Sequence, residues 1–344
     1  MKLLKRHISL SMNAAENDER ERKKANMMNQ FTRREFGKLA LAGLAFPTFG
    51  RRRDSADLIV AGVRLGVQTY SFRDLPRTAR RDVPGTVDGI ESVVRAMTEC
   101  GLSECELFAP QVEPESSAGR GRRGAGPSPE AVKAREDLRK WRLETPLDHF
   151  RDIKKRFDAA GILIYAYNYS PNGSYSDAEI ERGFEMTKAL GAQIMTASTN
   201  LETARRIAPI AEKHRMVVAM HGHSNASDPN EFCTPDSFAA AMKMSKYFKV
   251  NLDIGHFTAA NFDALAYIRD HHADITNLHL KDRKKNQGDN MPWGEGETPI
   301  REVLRLIRDE RWPIRAYIEY EYRGAGSSVE EVKKCLAYAR QALA

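Results

Sequence analysis

From Val63 onward the chain alternates short apolar runs with longer segments whose apolar residues recur at helical spacing. Runs of four to eight β-prone residues predict buried strands, and apolar positions three and four apart predict amphipathic helices. "VRLGVQTYSF" (63–72) is the first predicted strand, followed by a helix over 83–102 that stops near Gly101. "ECELFAP" (104–110) is the second and carries Glu106 near its end. A stretch rich in Gly, Ser, Pro and Arg at about 111–128 reads as a solvated insertion. Two helical segments then lead to "ILIYAYNYS" (162–170), and further helices separate "AQIMTAST" (192–199) from "MVVAMHGHSN" (216–225). The sixth and seventh strands, "VNLDIGHF" (250–257) and "TNLHLKD" (276–282), flank one predicted crossover helix over 258–273. "IRAYIEYEY" (314–322) is the eighth strand, and a last helix closes the chain.

Eight strands alternating with helices predict parallel strands joined by right-handed crossovers. The fold class that follows is α/β, a (β/α)8 TIM barrel in one domain over residues 62–344. An open doubly wound sheet is the alternative. It would call for a glycine-rich phosphate fingerprint after the first strand, and "GVQTYSFRDLP" is not one.

Residues 1–53 stand apart as a leader. The paired Arg33 and Arg34, then Phe36, Lys38 and a short apolar run, resemble a twin-arginine export signal. That resemblance implies a periplasmic or extracytoplasmic location and the export machinery as a partner. The apolar run is shorter than the ~20 residues a bilayer span requires, so no membrane anchor is expected. The leader also carries the charge. It holds 13 Lys/Arg against 5 Asp/Glu, leaving 41 basic and 42 acidic residues in the body of the chain. A basic face for nucleic acid is therefore not expected, despite a formal net charge of +7 for the whole chain. The four cysteines lie far apart and form neither a zinc-ribbon pattern nor a disulfide framework.

The chemistry gathers where four consecutive strands end: His221 and His223, then Asp253 and His256, then His279, Lys281 and Asp282, then Glu319 and Glu321. Residues two apart on a strand share a face, and active sites of parallel barrels lie at the carboxyl ends of the strands. His221, Asp253, His279 and Glu319 are the most economical ligand set. Mixed imidazole and carboxylate donors suit Mn²⁺, Zn²⁺ or Co²⁺, with Mg²⁺ a less favoured fit. Taken alone, Asp253 would equally serve as a helix cap.

"LGVQTYSF", Glu106, "LDIGH", "HLKD", the "WGEGE" loop and "IEYE" together resemble the xylose-isomerase-like barrel superfamily of sugar phosphate isomerases and epimerases, over roughly residues 62–340. The resemblance implies a metal held by Glu, Asp, His and Glu, of which Asp253, His279 and Glu319 match the last three, with Glu321 the alternative at the last. The chain departs at the first, where His221 stands. Barrels of this kind often pair, so a homo-oligomer is expected.

The function so implied is divalent-metal-dependent isomerisation or epimerisation of a sugar, by proton abstraction next to a carbonyl through an enediolate. Glu319, Lys281, His256, His223 and Glu321 are the candidate catalytic groups. Glu106, Trp293 and Asp282 are the candidate contacts to the sugar, with residues 286–297 as a closing loop. The alternative is a metal-dependent lyase or dehydratase acting on keto-sugars by elimination from a 3-keto-glycoside or dehydration of a keto-inositol. An endonuclease-IV-like phosphodiesterase and a non-catalytic sugar-binding barrel are the remaining readings.

Overall fold

A two-residue strand, β1 (Ile59–Val60), turns at Ala61 and Gly62, both at positive φ, and pairs antiparallel with β2 (Val63–Gln68). The computed structural model describes residues 58–76, 88–114 and 128–344. The leader and most of the 111–128 insertion lie outside the described residues. After β2 come α1 (Gly89–Cys100), β3 (Glu104–Phe108), α2 (Pro129–Glu144), α3 (Leu147–Ala159) and β4 (Leu163–Asn168). Then follow α4 (Asp177–Ala189), β5 (Ile194–Ser198), α5 (Leu201–His214), β6 (Val218–His221) and α6 (Pro235–Met242). The last third contains β7 (Phe248–Asp253), α7 (Ile254–Ala259), α8 (Ala264–His271) and β8 (Ile275–Leu280). It ends with α9 (Ile300–Glu310), β9 (Arg315–Ile318) and α10 (Ser328–Leu343).

Strands β2 to β9 pair in parallel in chain order, and β9 returns to β2 with Leu65 opposite Ala316 and Val67 opposite Ile318. The sheet is a closed eight-stranded barrel, which leaves no open strand edge. Except for α3 and α9, which follow Pro146 and Pro299, the named helices begin at side chains that satisfy one of their first free N–H groups. Ser176 and Ser327 form reciprocal capping boxes with Glu179 and Glu330. Helix α9 buries Ile300, Val303, Leu304 and Ile307, the three-and-four spacing that turns one face to the barrel. Among the described residues no helix is long and apolar enough to cross a membrane, and all four cysteines are buried free thiols.

Two elements differ from their sequence reading. The first strand ends at Gln68 and turns into a 3-10 segment, Thr69–Phe72, because the Gln68 side chain accepts the Tyr70 N–H at 3.2 Å. The crossover between β7 and β8 is two short helices. Asn261 adopts a left-handed φ of 69° between them, and the Asp263 side chain caps α8.

Inside the barrel the side chains lie in layers. At the amino end of the strands, Glu104 accepts from Arg315 at 2.6 Å and from the Tyr317 hydroxyl at 2.5 Å, while Arg315 stacks 3.6 Å over Tyr165. Gly66 is required there, since a Cβ would lie 2.5 Å from the Tyr317 ring. The next layer is polar and centres on Glu106, which has no solvent exposure. Its Oε1 accepts from Gln68 at 2.7 Å, Asn168 at 3.0 Å and Thr196 at 2.7 Å. Its Oε2 accepts from Asn251 at 3.1 Å and Asn277 at 2.9 Å, and it meets His279 Nε2 at 2.9 Å. The layer above, at the carboxyl end, holds the candidate site.

Candidate metal centre

Each ligand-type side chain is delivered by the end of a strand. Asp253 closes β7 and caps α7, with Oδ1 accepting the His256 N–H at 2.7 Å. That leaves Oδ2 for the barrel interior, so this residue both caps a helix and faces the site. A Cβ on Gly255 would sit 2.6 Å from the Lys281 carbonyl, so glycine lets the first turn of α7 lie against the end of β8. His221 ends β6, His279 lies on β8, and Glu319 follows β9, its N–H still bonded to the Leu280 carbonyl at 3.0 Å.

One ligand atom from each of His221, Asp253, His279 and Glu319 lies within 4.8 Å of the others, and all four residues are buried. The same four contribute His221 Nδ1, Asp253 Oδ2, His279 Nδ1 and Glu319 Oε2 as buried atoms with no hydrogen bond of acceptable geometry. Ion-pair contacts to Lys281 and between His279 and Glu319 reach three of these atoms at 2.8–3.2 Å, and four ligand-type atoms facing one another with so few well-formed hydrogen bonds fit a cation. The donor set, two imidazole nitrogens and two carboxylate oxygens, suits a divalent ion of borderline hardness. Glu106 supplies the outer partner. It holds the Nε2 side of His279, which directs Nδ1 to the centre.

Charge in the pocket is uneven. Lys281 is buried with Nζ 2.9 Å from Asp253 Oδ2, 2.8 Å from Glu319 Oε2 and 2.6 Å from Glu321 Oε2. Burial alone would neutralise it, but the three carboxylates outweigh that and hold its pKa well above the usual lysine range. Burial pushes the Asp253 carboxyl up to about 6, with Lys281 opposing and Glu319 adding to the rise. Glu319 resists the same burial because Lys281 and His279 lie beside it, and its pKa is lowered well below the ordinary value. Burial depresses His221, with His279 and His223 adding to the effect, so its imidazole is neutral and able to ligate. His279 is the opposite case. Burial lowers it, but the carboxylates of Glu106 and Glu319 outweigh that and raise it, so an entering metal ion must displace a proton.

His256 and His223 form the wall beside this cluster, their ring centroids 5.2 Å apart. Arg283 Nη1 lies 2.7 Å from His256 Nδ1 and Lys281 Nζ lies 3.2 Å from its Nε2, so two cations that can only donate compete for the one acceptor nitrogen of the ring. Burial, with the Lys281 charge next, keeps both His223 and His256 below the ordinary histidine value. His223 is partly open, with Nδ1 3.8 Å from Glu231. A cavity of about 310 Å³ opens above these groups, lined also by Gln68, Tyr70, Phe108, Asn168 and Ser198.

The residues matching the xylose-isomerase-like ligand positions therefore come together, and His256, Lys281, His223 and Glu321 border the same cavity. The structure places the three sugar contacts inferred from sequence away from the main cavity. Glu106 sits beneath the cavity and spends both oxygens on the polar layer. Asp282 is buried and accepts the N–H groups of Gly294 at 2.7 Å, Gly296 at 3.1 Å and Thr298 at 3.2 Å, so it anchors the loop instead. Trp293 packs edge-on against Tyr338, 5.8 Å between centroids, and does not border the main cavity. Gln68, Tyr70, Phe108 and Arg283 were not anticipated. Gln68 and Tyr70 lie two apart in "LGVQTYSF", the signal that singled out the other strand ends.

Residues 129–342 match the xylose isomerase-like TIM barrel family. The chain belongs to that family. No match was found among curated protein sequences. Solved structures of similar fold include a sugar phosphate isomerase/epimerase from Parabacteroides distasonis, 19% identical, TM-score 0.52, covering 83% of this chain and 96% of that one. D-psicose 3-epimerase from Clostridium cellulolyticum is 13% identical with a TM-score of 0.55, over 81% and 99% of the two chains. A probable 3-DHS dehydratase from Bacillus anthracis is 13% identical with a TM-score of 0.52, over 80% and 98%. At these identities the likeness is one of fold. This xylose isomerase-like barrel differs from the ligand pattern its motifs imply at one strand end, where His221 stands for a glutamate.

Proposed function

We propose that the protein is a divalent-metal-dependent enzyme that removes the proton next to a carbonyl of a sugar, with isomerisation or epimerisation as the outcome. The observation that carries this reading is the convergence of buried ligand-type atoms of His221, Asp253, His279 and Glu319 within 4.8 Å of one another, with Lys281 and Glu321 beside them. A bound ion would polarise the carbonyl and acidify the adjacent C–H. The chain's own groups do the rest. Glu321, following β9, accepts the proton. Lys281 holds positive charge where the enediolate oxygen develops, in a site with little water. His256 borders the cavity beside Lys281 and contacts the sugar there. His223 follows β6, three strands from β9, so it borders the cavity from another side and returns the proton there.

A second reading, elimination, is favoured by His221. With imidazole in place of the expected glutamate, the centre lacks the symmetric carboxylate pair that epimerisation uses. Elimination needs one base, Glu321, and one acid to protonate the leaving group, which His223 can supply. A probable 3-DHS dehydratase among the structures of similar fold supports this second reading. Export by the leader belongs to the same proposal, because phosphorylated sugars are scarce outside the cytoplasm. Homo-oligomerisation is likewise proposed.

Metal analysis of the purified protein, paired with deuterium incorporation from D₂O into ketoses and 3-keto-glycosides, tests this. Bound Mn, Zn or Co with deuterium next to the carbonyl supports it. An intact sugar then assigns isomerase or epimerase, and a released aglycone assigns lyase. Neither metal nor exchange sinks the enzyme reading.

A further inference from the structure

The cavity above the ligand cluster continues sideways. Glu321 lines it and also lines a second cavity of about 480 Å³, bordered by Asp289, Asn290, Met291, Pro292 and Arg323. A third, of about 470 Å³, shares Pro292, Tyr322 and Arg323 with the second and reaches Trp293 and Tyr338. The walls are the loops after β8 and β9, at the barrel end where substrates enter. The first cavity, at about 310 Å³, is at the lower end of the range for small-ligand sites and is sized for one ring.

The lining of the second cavity specifies what would fill it. Arg323 and Asp289 are exposed, and Arg323 pairs with no other described side chain. Asn290 Oδ1 is buried without a hydrogen-bond partner among the described residues. A guanidinium donor, a carboxylate and an amide oxygen around Met291 and Pro292 suit hydroxyl groups on an apolar ring face. Two carboxylates, Asp289 and Glu321, against one guanidinium disfavour a phosphate. Beyond them Trp293 and Tyr338 offer aromatic surface to a longer chain.

We propose that the groove takes a glycoside: the reacting ring in the first cavity and a neutral second sugar ring between Glu321, Asp289 and Arg323. This rests on reading the first cavity as a keto-sugar site.

Calorimetric titration of the full chain with glucose, cellobiose, maltose and trehalose tests it. At least one disaccharide binds tenfold or more tighter than glucose, and that ratio falls toward one in Arg323→Ala and Asp289→Ala. Both positions are exposed, and unchanged melting temperatures verify that the variants fold. Equal affinities, no binding of any of the four sugars, or a ratio unaffected in both variants overturns the proposal. Deuterium exchange into keto-sugars, measured on the same preparation, separates the two readings. Exchange without disaccharide preference removes the second subsite and keeps the chemistry. Preference without exchange does the reverse.

Discussion

The Glu106 carboxylate and the His279 imidazole meet at 2.9 Å at the centre of the barrel, one layer beneath the metal-ligand cluster. The pair couples the interior to the site. Six side chains converge on Glu106, and one of them is a ligand candidate whose other nitrogen faces Glu319 at 3.2 Å. In Glu106→Gln an amide N–H would face groups that themselves donate. Loss of such an outer partner costs about 10- to 100-fold in metal affinity. Glu106→Ala, which removes a buried partner outright, should cost about 3–5 kcal/mol of stability. Competition with a chelator measures the first and denaturant unfolding the second. Wild-type metal affinity in Glu106→Gln would show that His279 does not depend on this contact.

The strand ends were legible because two rules act together on them. Inward-facing residues repeat every second position, and the carboxyl ends of parallel strands share one side of the barrel. Those rules bring His221 with His223, Asp253, His279, and Glu319 with Glu321 to one mouth of the barrel without knowledge of packing, and the family resemblance chooses Glu319 over Glu321. They do not reveal depth. Glu106 obeys the same alternation, yet β3 places it a layer lower, because register between strands decides which inward residue reaches the mouth. Asp282 and Trp293 belong to a loop whose path is set by three backbone N–H groups binding one carboxylate. No periodicity records such a path. The break at Asn261 escaped for a related reason: the apolar spacing runs through it, and only the left-handed residue interrupts the helix.

Replacement of His221 by Glu restores the ligand pattern that the motifs imply. The added carboxylate raises negative charge at a centre that already holds Asp253, Glu319 and Glu321 around Lys281. His221→Glu should retain metal, with preference shifted toward the harder Mn²⁺ or Mg²⁺. His221→Ala should lose it by about tenfold or more. Elemental analysis after dialysis against mixed metals reads both. Full metal retention in His221→Ala would remove this residue from the ligand set.

Lys281→Met preserves length and removes the charge. If the ammonium meets developing negative charge, kcat falls by about 100- to 1,000-fold, the loss seen when one preorganised donor is removed. Metal content should hold or rise, because Asp253 and Glu319 lose a competing cation. Single-turnover deuterium exchange and metal analysis together decide. A kcat within about threefold of wild type assigns Lys281 a purely structural part.

Stability of the chelator-treated protein should peak near pH 6.5, the ordinary histidine value from which four site imidazoles depart in opposite directions. His221, His223 and His256 have lowered folded-state values. Below pH 6.5 the unfolded chain takes up protons there that the folded chain refuses, so stability falls on acidification by up to about 1.4 kcal/mol per pH unit per group. Asp253, raised to about 6 from 3.8, works against one of these groups between those pH values, because the folded chain binds its proton first. Above pH 6.5 the raised His279 holds a proton that the unfolded chain has lost, and stability declines as pH rises through its folded value. Melting temperatures between pH 5 and 8 should trace this maximum. In His223→Gln the acid limb should flatten by about one group's slope. An acid limb unchanged in that variant would mean that His223 titrates as it does in the unfolded chain.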